Sequence, residues 1–329
     1  MRLQPGKLPP ELIQLIIAAL PTPDPRVVVG PGLGRDAAVL EMAGGYLVLK
    51  TDPITFATDE IGWYVVQVNL NDVACLGARP LAFMLTSLLP PGCDEQLPHA
   101  IAAQVSEACA AHRIAFLGGH SEVTIGLERP LLVGMMIGEA GPDQLIRPGR
   151  ARVGDAILLT KGVPLEGAAI IAREKRSELI ARGVAPDLIQ RAAGFLRVPG
   201  IAVLREAQLA ARAGASALHD PTEGGLATAL WELCEAAGLG AAIAGDRIPI
   251  VPEGRALCAA YGLDPLGTIA SGALLIGIGP ARAPALIAAI EEAGIPCALI
   301  GRFVEHQQGI TLDDRPLPRF TADEITKIF

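Results

Sequence analysis

Apolar positions recur at helical spacing in PELIQLIIAAL, about residues 10 to 20, and the three prolines of PTPDP stop that helix. RVVVG then reads as a short strand, PGLGRD as a glycine-rich turn, and AAVLEM and YLVLKTD as the two arms of a hairpin about AGG. The run IGWYVVQVNLNDVACLGA is apolar at almost every position, long, and closed by glycine, which predicts a buried helix with Asn69 and Asp72 one turn apart. PLAFMLTSLLP is a strand, residues 94 to 112 an amphipathic helix, IAFLGGH a strand, and a further strand or pair ends in LLVGMMIGEAG. Near residue 141 the pattern restarts through the Pro/Gly-marked GPDQLIRPGRARVGD. AILLT opens a second series, in which SALHD, GAAIAGD, GALLIGIG and CALIGRFV alternate with helices near 225 to 238, 253 to 261 and 282 to 293. The order predicts an α/β or α+β protein of two domains, residues 1–140 and 141–329, with no tandem repeat.

At 329 residues and half apolar, the chain supports compact domains of about that number. A net charge of −8 and an aromatic fraction of 4% argue against nucleic-acid binding. The six cysteines stand singly, with no CxxC, and read as small core residues of a reducing compartment. The first apolar run is too short to span a bilayer, so a cytoplasmic, membrane-free protein is expected.

HDPTEGGLATALWELCEAAG predicts a helix with Asp220 as N-cap, Pro221 at the first position and Glu223 completing a capping box. Gly224 and Gly225 work against it, since a glycine in a helical turn costs about 1 kcal/mol relative to alanine. A bare backbone is required there.

Acids and other ligand-capable groups collect at element ends: Asp36 after the glycine turn, Asp52 closing a strand, Asp72 inside the apolar helix, and His120 and Glu122 after LGG. Carboxylates with glycine turns are what a magnesium–nucleotide site uses. Asp36 and Asp52 also fit plain strand-end turn chemistry. Asp72, in so apolar a helix, must be paired, with Asn69 or an arginine, or must hold a metal. The full GxGxxG context, the P-loop, GxSxG and HExxH are absent from the sequence.

GRDAAVL, TDP, NLNDVACLGARPLAF, LGGHSEVT and HDPTEGGLATAL, in that order, resemble the aminoimidazole ribonucleotide synthase (PurM-like) superfamily over about residues 30 to 305. The hydrogenase-maturation protein HypE and thiamine-monophosphate kinase are the most similar branches. The resemblance implies an N-terminal domain whose strands pair with those of a second subunit, a ferredoxin-like α+β C-terminal domain, and a homodimer. It also implies ATP with Mg2+ in a cleft, and transfer of the γ-phosphoryl group to a small substrate. On matching positions, Asp36, Asp52 and Asp72 would be the metal ligands, with Arg35 and Asn69 beside the nucleotide and Gly118, Gly119 and His120 as a loop next to it. Asp72, His120 and Asp220 would serve catalysis, and His219, Asp220, Thr222, Gly224 and Gly225 would face the substrate.

Three departures stand out. Arg35 precedes Asp36 where the family has a second acid, and His120 replaces an aspartate, which favours fewer metals or a softer ion. The chain ends in ADEITKIF, without the terminal cysteine of HypE. The expected function is therefore ATP-dependent phosphoryl transfer or dehydration on an unidentified small molecule. The alternatives are a nucleotide-binding regulator or scaffold, and a small-molecule kinase similar to thiamine-monophosphate kinase.

Overall fold

The computed structural model describes residues 7–8, 10–20 and 24–329; Pro21, Thr22 and Pro23, where the first helix was expected to stop, lie outside them. The first half contains α1 (Pro10–Ala18), β1 (Val27–Val29), β2 (Ala38–Met42), β3 (Gly45–Ile54), α2 (Ile61–Cys75), β4 (Arg79–Leu89), α3 (Gln96–His112), β5 (Ala115–Val123) and β6 (Leu131–Ala140). Its strands form one sheet in the order β1-β2-β3-β6-β4-β5, antiparallel except for the parallel β4–β5 pair.

The second half continues with β7 (Ala156–Thr160), α4 (Leu165–Glu174), α5 (Arg176–Ala181), α6 (Pro186–Gly194), α7 (Leu204–Arg212), β8 (Ala217–His219), α8 (Gly225–Ala237) and β9 (Gly240–Ile243). It ends with α9 (Pro252–Tyr261), β10 (Leu275–Ile278), α10 (Ala283–Glu292), β11 (Cys297–Val304), β12 (Ile310–Leu312) and β13 (Arg315–Pro316). The second sheet runs β13-β12-β9-β11-β7-β10-β8, with only β9 and β12 parallel. Segregated helices over two largely antiparallel sheets make the fold α+β in detail.

α2 is apolar all round because it is covered on every side. It packs on β3, β4, β6 and α3 of its own half and on α7 and β8 of the other. Asn71 is spent on that second contact: its Nδ2 donates to Ile201 O at 2.8 Å and its Oδ1 accepts from Val203 N at 2.9 Å. One hydrophobic cluster, from Val39 and Val65 through Ile171 and Leu196 to Ile325, crosses between the halves.

Two sequence expectations change. Gly118, Gly119 and His120 are not a loop but part of β5, which runs on to Val123. There Phe83 pairs with Phe116 but Leu85 with Gly119, so β5 carries one extra residue, a bulge. A Cβ on Gly119 would collide with the Leu85 carbonyl, and this close strand approach is what the glycine serves.

The helix after His219 starts later than its capping box implied. α8 begins at Gly225, with Gly224 as N-cap at φ 82°, a left-handed conformation that glycine adopts without strain. The Gly224 N–H donates to Asp323 Oδ2 at 2.6 Å, so the capping acid comes from the C-terminal segment, and Asp220 is free for other contacts. Gly225, at φ 62°, lies so close to residues 266–268 that a Cβ would meet Leu266 O at 2.6 Å and Thr268 O at 2.7 Å. The bare backbone admits a neighbouring chain segment.

Candidate functional site

The loop before β2, the end of β3, the last turns of α2 and the end of β8 converge on one cluster of acids. Asp36 comes from the loop, whose Gly34 packs on the Glu232 carbonyl of α8. Asp52 lies two residues before the end of β3, Asp72 on α2, and Asp220 just after β8. Asn69 fixes the strand against the helix: its Oδ1 accepts from the Asp52 N–H at 2.8 Å, and its Nδ2 donates to Asp52 O at 3.2 Å and Val65 O at 2.8 Å. Asn69 is thus a backbone clamp for Asp52.

Asp72 pairs with neither Asn69 nor an arginine. Its partner is Lys50, whose Nζ lies 3.2 Å from Asp72 Oδ2 and 3.3 Å from Asp52 Oδ2. The lysine was missed in the sequence, although KTD places it two residues before Asp52 and so on the same face of the strand. Burial and the neighbouring carboxylates Asp220, Asp52 and Asp36 push the Asp72 carboxyl well above the usual range, against the pull of Lys50. Asp220 is raised to about 6, by burial first and then by Asp36. Its Oδ2 is buried without a hydrogen-bond partner.

His219 occupies a different place from the substrate-facing one expected. It is buried, with Nδ1 2.8 Å from Asp36 Oδ1 and Nε2 3.0 Å from Glu232 Oε2. Burial works against the imidazolium, but Asp36 and Glu232 outweigh it and hold the ring's pKa well above the ordinary histidine value. Glu232 in turn, raised by burial but pulled down by Lys7 and His219, sits at about 2. Lys7 Nζ also donates to Thr222 Oγ1 at 3.1 Å. His219 therefore bridges Asp36 and Glu232 through its two ring nitrogens.

A small cleft opens beside Asp52, lined by Ile54, Phe56, Ile170 and Ile269 and by the polar Thr222, Glu223, Glu166 and Ser271. Glu166 lies in the first turn of α4, accepts weakly from the Ser271 N–H at 3.3 Å, and is raised by burial to about 8. Ser271 Oγ is buried and unpartnered. Glu166 and Ser271 escaped the sequence reading; the one signal was an acid in an otherwise apolar stretch.

The remaining expected residues lie apart. Arg35 is folded onto its own turn, donating to Gly30 O at 3.2 Å and Pro31 O at 3.4 Å. His120, in register with Thr86, Val133 and Pro53 across the sheet, is three strands from the Asp52 end of β3, about 14 Å at ordinary strand spacing. It is exposed and pairs with Glu122 at 3.1 Å. Within one chain, Gly118, Gly119 and His120 do not reach the acid cluster. Gly224 and Gly225 serve α8 and residues 266–268, as above.

Residues 34–140 match the family described as AIR synthase related protein, N-terminal domain, and residues 152–313 the corresponding C-terminal domain. The carbamoyl dehydratase HypE of Rhizobium leguminosarum is 30% identical over 292 residues, 82% of this chain and 77% of that protein. A hydrogenase expression/formation protein of Methanocaldococcus jannaschii is 27% identical, with 94% of this chain and 91% of that protein aligned. Among solved structures, hydrogenase maturation protein HypE in complex with ATP superposes with a TM-score of 0.71 at 25% identity, over 90% of this chain and 92% of the other.

Proposed function

The chain belongs to the AIR synthase related family, and from that premise we propose that it binds ATP with Mg2+ at the acid cluster and transfers the γ-phosphoryl group to a small substrate in the adjoining cleft. The observation that carries this reading is an imbalance of charge. Four carboxylates, Asp36, Asp52, Asp72 and Asp220, converge where Lys50 and His219 are the cations in contact, and His219 is shared with Glu232. A low-dielectric cluster with surplus negative charge is costly alone and suits a divalent cation.

The donor set fits a hard cation: all four acids offer oxygen, and Asp220 Oδ2 is buried with no other partner. Asp36, Asp52, Asp72 and Asp220 would hold Mg2+, which when bound neutralises phosphate charge during a loose phosphoryl transfer. The chain's own residues supply position. Lys50 keeps Asp52 and Asp72 from repelling one another, Asn69 anchors the Asp52 backbone, and His219 fixes Asp36. In the cleft, Glu166, whose carboxyl burial raises to about 8, would offer a donor to a substrate oxygen beside the apolar Ile54, Phe56 and Ile269.

The same reading includes a homodimer. The edge strand β5 is exposed along its length and carries Phe116, Leu117 and Val123, with Ile125 just beyond. Pairing through this edge would bury them and place Gly118, Gly119 and His120 at the subunit boundary. Among the described residues, no helix is long and apolar enough to cross a membrane.

The test is ADP release from Mg–ATP against a panel of small amides, amines, carboxylic acids and alcohols. Turnover that depends on one acceptor class and is lost in Asp72→Asn supports the reading. Tight ATP binding with no turnover across the panel would point instead to a nucleotide-binding regulator.

A further inference from the structure

Cys75 has no part in the proposed phosphoryl transfer, yet it sits inside the acid cluster. Its Sγ donates to Asp220 Oδ1 at 3.7 Å, and one ligand atom each of Asp36, Cys75 and Asp220 lie within 4.8 Å of one another. The three residues come from separate elements: the loop before β2, the last residue of α2 and the segment after β8. Cys75 and Asp220 are buried, and the Asp36 side chain is only 9% exposed. The second oxygen of Asp220 is buried with no hydrogen-bond partner, a costly arrangement unless a ligand takes it up. Among the described residues, no other cysteine belongs to such a group of potential ligands.

We propose that Asp36, Cys75 and Asp220 form a three-ligand site for a borderline or soft divalent cation of the Zn2+ type, which takes Asp36 and Asp220 in place of Mg2+ and leaves the hard ion the oxygen-only pair Asp52 and Asp72. This deepens the cation site of the proposed function and rests on that reading for its place in the cleft. Oxygen ligands alone favour Mg2+, and a thiolate shifts preference toward Zn2+, Cd2+ and Fe2+. The softer donor anticipated from His120 is supplied by Cys75, one turn of α2 beyond Asp72. On binding, the Cys75 S–H bond breaks, its proton passes to solvent and a sulfur–metal bond forms, so three anionic ligands face one dication. Three protein ligands leave a tetrahedral ion one position for water or a substrate atom. His219 holds one Asp36 oxygen at 2.8 Å and so orients the carboxylate from outside the metal's own shell.

Cadmium chloride titrated onto the full chain is expected to give a thiolate-to-cadmium charge-transfer band in the ultraviolet. The band should saturate at one ion per chain, yield to Zn2+ and survive excess Mg2+. Cys75→Ser and Cys75→Ala are expected to lose it. Should both variants unfold, cadmium NMR of the unmodified chain decides between one sulfur among oxygens and any other ligand set. No band, a band that persists without Cys75, or a resonance without single-sulfur ligation overturns the site. Calorimetry with Mg–ATP separates the two readings: a chain that gives the cadmium band but binds no Mg–ATP loses the phosphoryl-transfer function and keeps this site. A chain that binds Mg–ATP without the band does the reverse.

Discussion

Asp36 Oδ1 and His219 Nδ1 meet at 2.8 Å, and through this contact a loop of the first sheet is tied to the end of a strand of the second. The other imidazole nitrogen holds Glu232, so one buried ring balances two acids from different parts of the chain. The imidazole sets the position of Asp36 at the edge of the cluster from outside the proposed cation site.

Replacing His219 by glutamine keeps the ring's approximate size but removes the positive charge between Asp36 and Glu232. Leaving buried acids uncompensated typically costs about 3–5 kcal/mol. Urea unfolding should show a loss of that order, together with weaker ATP binding. A change below about 1 kcal/mol would mean that the ring carries no charge in the folded protein.

Lys50→Met and Asp72→Asn should act in opposite directions on the cation-free protein. Lys50→Met leaves Asp52 and Asp72 facing one another and is expected to lower Tm by several degrees. Asp72→Asn relieves repulsion with Asp220 and Asp52, so its Tm should be equal or higher, while Mg2+ no longer raises it. Thermal melts with and without Mg2+ check both. A large loss of stability in Asp72→Asn with the Mg2+ effect intact would make Asp72 a purely structural residue.

Glu166 links stability to pH. Its carboxyl releases its proton near pH 4.5 in the unfolded chain but holds it to about 8 when folded, because burial disfavours the charged form. The folded state binds more protons between these values, so this contribution is complete below about pH 4.5 and is lost as pH rises toward about 8, at no more than about 1.4 kcal/mol per unit. Glu166→Gln should flatten that part of the stability–pH curve. An unchanged slope would show that Glu166 is ionised in the fold.

Leu117 tests the exposed edge. A lysine on β5 puts charge into a strand-to-strand contact, a common device against edge pairing. Sedimentation should find a dimer for the unmodified chain and a monomer for Leu117→Lys. A monomer in both would remove the dimer from the proposed function.

Much of the fold was legible because local signals and tertiary demands agreed. The hairpin about Gly44, the apolar α2, and strands such as β7 and β10 follow from alternation, length and turn residues. α4 to α7 were not individually placed, since short helices packed on one another carry weak punctuation. Asp72 is visible as an acid in an unusually apolar setting, Asp36 and Asp52 as acids at strand ends, and Asp220 as a site residue only through the family resemblance. Their partners are not, because Lys50, His219 and Cys75 meet them through sheet register and packing between distant segments. The capping box at Asp220 misled for the same reason: Asp323, distant in sequence, supplies the acid that receives the Gly224 N–H.

Calorimetric titration of the full chain with ATP, in the presence and absence of Mg2+, decides whether the acid cluster is a cation–nucleotide site. Binding of about one ATP per chain that requires Mg2+ and disappears in both Asp52→Asn and Asp72→Asn is the expected outcome. No ATP binding, or binding unaffected by Mg2+ and by these substitutions, would contradict it.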